Sequence, residues 1–146
     1  MKKFAKVMAV ALVAVMALAV LVACGPASDP EKAAKALEKN GYTVVSVIGS
    51  DSTEGKLAQA SLDVVAKAMG LKAGDLVASV TGTKGEDGIM IYYFKSAKVA
   101  RDYWNDHKED IEKQKKEAKE EGQDLVINIS GSVVYSGTKQ AVKDAR

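Results

Sequence analysis

From Val7 to Ala23 every residue is Ala, Val, Leu or Met, and no later stretch of the chain is apolar over a comparable length. Lys2, Lys3 and Lys6 stand in front of that run, which gives the charged start and apolar middle of an export signal. A retained membrane span is the competing reading, because a bilayer crossing takes roughly 17 to 25 apolar residues. No basic stop-transfer cluster comes after it, and the run ends in small residues at Cys24. Both features favour a signal that is removed, so the folded body must be built from the residues beyond Ala23. Cys24 is the only cysteine, so disulfides cannot hold that body together.

Leu21-Val22-Ala23-Cys24 resembles the lipobox of bacterial lipoprotein precursors at each of its four positions. The resemblance implies a diacylglyceryl group on the Cys24 sulfur, cleavage between Ala23 and Cys24, and Cys24 as the mature N-terminus. Acyl chains suit that task, since each buried methylene contributes about 0.8 kcal/mol and two chains anchor where one holds marginally. Gly25 stands where some Gram-negative lipoproteins carry an Asp that retains them in the inner membrane. The implied division is a signal peptide over 1–23, a lipidated tether over 24–29 and one domain over 30–146. The implied location is the outer side of a bacterial cell membrane.

Removing the leader changes the charge. The chain has 21 basic and 19 acidic residues, and three of the lysines lie before Val7, which leaves 18 against 19. A nearly neutral domain lacks the electrostatic footprint of a nucleic-acid binder. Its length is enough for a single domain with its own core.

Gly25 to Asp29 reads as a polar tether, with Asp29 as a helix N-cap and Pro30 at the first helical position. Ala33, Ala34 and Leu37 form the apolar stripe of that helix, which Asn40-Gly41 closes. Tyr42 to Ile48 is a β-branched run of strand length. A second helix is expected from about Glu54 to Met69, with Leu57, Ser61, Val64 and Ala68 on its apolar face and Leu62 and Val65 beside them. Leu76 to Thr83 and Ile89 to Phe94 read as strands joined around Lys84 to Gly88. Ser96 caps a third helix with Ala100, Trp104, His107 and Ile111 in line. Beyond Ile111 the stripe fades into Lys, Glu and Gln, so that half is expected to project into solvent. Leu125 to Ser130 alternates as a strand, Gly131-Ser132 is a two-residue turn, Val133 to Ser136 returns, and Thr138 caps a closing helix.

The order strand, helix, strand, strand, helix, strand predicts an α+β protein of the ferredoxin-like, split βαβ kind. An N-terminal helix, an added C-terminal hairpin strand and a short closing helix complete it. Tyr42 to Ile48 and Ile89 to Phe94 are apolar on both faces, as covered central strands are. Two long helices cover one sheet face. The other needs cover for either Met90, Tyr92 and Phe94 or Ile89, Ile91 and Tyr93, the phase being open. Either the terminal helices fold across it, or the face, taken as Met90, Tyr92 and Phe94, is a contact surface.

Chemical motifs are sparse. His107 is the single histidine and reads as a packing residue at a helix boundary. His107-Lys108-Glu109 lacks the cysteine pair of a zinc deaminase, and no H-E-x-x-H occurs. Gly82, Gly85 and Gly88 fit turn chemistry rather than a phosphate-loop pattern. Asp51, Thr53 and Gly55 fall short of a calcium loop. Ser136 to Lys139 spells S-x-x-K without the partner motifs of penicillin-binding enzymes. No metal, cofactor or catalytic constellation is expected.

Ile91-Tyr92-Tyr93-Phe94 running into Ala97 and Ala100, and Val134 to Thr138 with Ala141-Val142-Lys143 behind it, resemble small Gram-positive lipoproteins without an assigned activity. The reading favoured is a membrane-tethered, non-enzymatic binding or interaction module, whose partners are the membrane through the anchor and an envelope protein or a second copy. A small cell-envelope enzyme or enzyme accessory is the alternative.

Overall fold

The computed structural model describes residues 25–146, and the helices and strands below are those of the described residues. Helix α1 (Pro30–Lys39) is succeeded by β1 (Thr43–Ile48), α2 (Thr53–Ala68), β2 (Leu76–Lys84) and β3 (Asp87–Phe94). Then come α3 (Ala97–Asp106), α4 (Lys108–Glu120), β4 (Leu125–Ser130), β5 (Val133–Thr138) and α5 (Lys139–Asp144). The expected caps form. Asp29 Oδ1 accepts from the amides of Glu31 and Lys32, Ser96 Oγ from that of Val99 and Thr138 Oγ1 from that of Ala141. Gly131, at φ +59°, makes the two-residue link between β4 and β5 that the turn reading required.

The protein is α+β, with one antiparallel sheet in the order β1-β2-β3-β5-β4. A split βαβ fold would put β1 beside β3 at the centre of the sheet, with β2 not its neighbour; here β1 is an edge strand paired antiparallel with β2. The expected ferredoxin-like strand order is thus corrected, and the cause lies after α2. Leu71 to Asp75 doubles back along that helix instead of leading away from it. The Gly74 amide donates to Asp63 Oδ1 at 2.8 Å, and Gln59 Nε2 donates to both Asp63 Oδ1 and the Leu76 carbonyl at 2.9 Å. β2 therefore starts beside the end of β1, and Ile48 pairs with Ala78. The C-terminal hairpin is also reversed from expectation. Val133–Thr138 is the inner strand, against β3, and Leu125–Ser130 is the edge.

Both faces of the sheet carry helices. Ala33, Ala34 and Leu37 of α1 and Ala141 and Val142 of α5 close one core over Val80, Ile89, Ile91, Tyr93, Val133 and Tyr135. The terminal helices thus cover this face, which is one of the two alternatives the sequence allowed. On the other face Leu62 and Ala66 of α2 and Ala100 of α3 pack over Leu76, Phe94 and Val134. In α2 the buried stripe is Gly55, Leu62 and Ala66, whereas Leu57, Ser61, Val64 and Ala68 point to solvent. Gln59 turns inward to the Leu76 carbonyl, and that polar anchor sets the rotation of the helix against its larger apolar residues. The third helix breaks at His107, and α4 does not project. Ile111 and Ala118 are buried as α4 folds back toward β4.

Asp75 secures the return loop. It is 6 % exposed, lies 2.7 Å from Lys95 Nζ and accepts from the Lys72 amide at 3.0 Å. The Lys95 ammonium first, and then the Lys72 amide, hold its carboxyl below the usual carboxylate range. In the unfolded chain the group binds its proton near the ordinary value of about 3.9. Its stabilisation is therefore complete above that pH and is lost as the pH falls toward the lower folded value. Half-exposed Lys95 is partly screened, so Asp75→Asn is expected to cost about 1–2 kcal/mol at pH 7. Urea melts should show the gap between wild type and variant closing below pH 4.

Candidate binding cleft

Where α3 passes into α4 the helices stand off the sheet and leave an open cleft of about 450 Å³. Its floor comes from adjacent strands: Met90 pairs with Ser136, Tyr92 with Val134, and Ile127 with Ser136, so these side chains share one face. Its wall is Tyr103, His107, Asp110, Ile111 and Gln114, spaced so that one side of a nearly continuous helix presents all five. The break at His107 lets that wall bend around the floor.

The polar groups are few and differ in role. His107 Nδ1 lies 2.9 Å from the Tyr103 carbonyl. A carbonyl only accepts, so Nδ1 carries the hydrogen and, in the neutral ring, Nε2 keeps a free lone pair. The imidazole also lies over the Tyr103 ring, 4.2 Å between centroids, which fixes its plane. Burial pushes the Tyr92 and Tyr103 hydroxyls up, the nearby Tyr92 adding to the effect on Tyr103; both are donors at neutral pH rather than bases. Ser136 Oγ is buried with no hydrogen-bond partner among the described residues. No hydrogen bond joins it to His107, whose Nδ1 is engaged by the Tyr103 carbonyl. With one carboxylate, Asp110, the lining also lacks the pair that glycoside hydrolysis uses. Among the described residues no group of three or more His, Cys, Asp or Glu is placed to hold a metal. The cleft is suited to holding a molecule with an apolar body and polar edges.

Of the residues singled out as a contact surface, Met90 and Tyr92 lie together in the cleft, both half-buried. Phe94 does not join them: it is 2 % exposed beneath α3, 5.4 Å from the Tyr103 ring. Ile89, Ile91 and Tyr93 fill the opposite core. His107, read from the sequence as a boundary residue, is at the boundary and also lines the cleft. Tyr103, Asp110, Gln114 and Ser136 were not anticipated. The spacing 103, 107, 110, 111, 114 was a usable signal, hidden by reading the helix for its apolar residues alone.

Ala23 and Cys24, the expected cleavage and lipid-attachment residues, lie outside the described residues. The segment read as a tether is packed against the body from Gly25 onward. Pro26 is buried, Ala27 donates its amide to the Ala145 carbonyl at 2.8 Å, and Tyr93 Oη donates to the Ala27 carbonyl at 2.8 Å. No helix among the described residues is long and apolar enough to cross a membrane. No family model, curated protein or solved structure matches the chain.

Proposed function

We propose that the protein is a lipid-anchored, extracytoplasmic bacterial binding module, held to the membrane by acylated Cys24 and binding through the cleft beside α3 and α4. The observation that carries the binding half is the cleft itself, with an apolar floor of Met90, Tyr92, Val134 and Ile127 and a rim of tyrosine, imidazole and amide groups. The unpartnered Ser136 hydroxyl and the absence of a paired carboxylate in the lining favour binding over catalysis. The anchoring half rests on the charged leader, the apolar run and Leu21-Val22-Ala23-Cys24.

Each half has its own test. Mass spectrometry of the protein made with its leader should find Cys24 as N-terminus with a diacylglyceryl thioether; an intact Met1 or an unmodified cysteine refutes anchoring. For the cleft, envelope components recovered by the anchored wild type should be lost with Met90→Glu and kept with Leu57→Glu, whose side chain is exposed on α2. Turnover of a cell-wall substrate, with recovery indifferent to Met90→Glu, would favour the small envelope enzyme instead.

A further inference from the structure

Gly25, the first described residue, directly follows the expected lipid-attachment residue Cys24 in the chain. Gly25 rests on the ring of Tyr135, close enough that a Cβ on it would fall 3.0 Å from the ring edge. Tyr135 belongs to the core beneath α1 and α5. The next residues are pinned to the same face by the Ala27 amide on Ala145 and the Tyr93 hydroxyl on the Ala27 carbonyl. Burial first, and Asp29 second, hold the Tyr93 hydroxyl well above the usual phenol range. It therefore remains a donor at any physiological pH. Among the described residues, the chain is thus held to this face from Gly25 onward.

The cleft opens on the other face. Its floor residues Met90, Tyr92 and Val134 alternate along the strands with Ile91, Tyr93 and Val133, which belong to the core on the anchor side. Charge respects the same division. α1 and α5 carry Lys32, Lys35, Lys39, Lys139 and Lys143 against Glu31, Glu38 and Asp144, with Lys139 paired to Asp124 at 2.8 Å, whereas the basic and acidic residues of α2, α3 and α4 are equal in number. A basic surplus beside a lipid attachment point suits an anionic bilayer surface.

We infer that the docked Gly25–Asp29 segment holds the anchored protein in one orientation, with the α1/α5 face against the lipid headgroups and the cleft directed away from the bilayer. The inference rests on the anchoring proposed above and adds where the cleft finds its ligand. That ligand comes from the aqueous or cell-wall side and not from the lipid surface.

The lipidated full chain, inserted from outside into vesicles of phosphatidylethanolamine and phosphatidylglycerol, tests it. Acylation consumes the only native thiol, so an introduced cysteine is the single site for a fluorophore. Probes at Lys143→Cys on α5 and Gln114→Cys on the cleft rim would be quenched by lipid carrying a headgroup nitroxide. Quenching at least threefold stronger at 143 than at 114 is expected. The difference should collapse when Ala27→Pro and Tyr93→Phe together remove the two pinning hydrogen bonds. Equal quenching in the acylated, membrane-bound protein overturns the orientation while leaving the anchor intact. A difference that survives the double variant overturns the role of the docked segment. Absence of the acyl group on Cys24, seen by mass spectrometry of the same sample, overturns the anchoring and the orientation with it.

Discussion

Ile91→Ala should lower the unfolding free energy by about 4 kcal/mol, near the upper end for truncating a buried aliphatic residue. Ile91 is fully buried on β3, the middle strand, between Val80 on β2 and Tyr135 on β5. Neighbours fixed on both sides in the sheet leave little freedom to collapse into the space. At about 4 °C per kcal/mol for a domain of this size, the melting temperature should fall by about 15 °C. Val45→Thr is the matched comparison, since Val45 lies in an equally apolar run but is 63 % exposed on the edge strand β1. A change within about 0.5 kcal/mol is expected there. Thermal and urea unfolding of both variants would expose a misplaced strand order: a large loss at Val45 and a small one at Ile91 would contradict the sheet.

Gly137→Ala is expected to cost about 3 kcal/mol, the upper part of the range for overpacking. A Cβ at Gly137 would fall 2.6 Å from the Gly88 carbonyl oxygen and 2.9 Å from Ile89 Cα. Both are backbone atoms of the partner strand, so no side-chain rotation relieves the clash. Strands β3 and β5 must separate, and Ile89, fully buried opposite Gly137, moves with them. Amide exchange should show the loss as faster opening of the β3–β5 ladder. Protection unchanged from wild type would mean that the close approach does not exist.

What the sequence made legible was local. Asp29 before Pro30, Ser96 and Thr138 announced helix starts through their side-chain oxygens, and each cap is observed. Strand order was not legible, because it depends on the path of Leu71 to Asp75. That path is decided by hydrogen bonds from Gln59 and Gly74 to Asp63 and from Gln59 to Leu76, contacts that no periodicity records. The apolar run around Val45 suggested a central strand for the same reason that Ile91 did. Composition reports side-chain type and leaves the number of neighbouring strands open. At the cleft, Met90 and Tyr92 were named from the strand alone, whereas the helical wall required knowing that the helix bends at His107 and returns to the sheet.

The docked amino-terminal segment also has a mechanical consequence. A pull applied at the amino end meets two hydrogen bonds acting in parallel, from the Ala27 amide to Ala145 and from the Tyr93 hydroxyl to the Ala27 carbonyl, before it reaches α1. Tyr93 belongs to β3, the middle strand of the sheet. Such a pull is thereby delivered to the middle strand of the sheet and to the C-terminal end of α5 before it loads the first turn of α1.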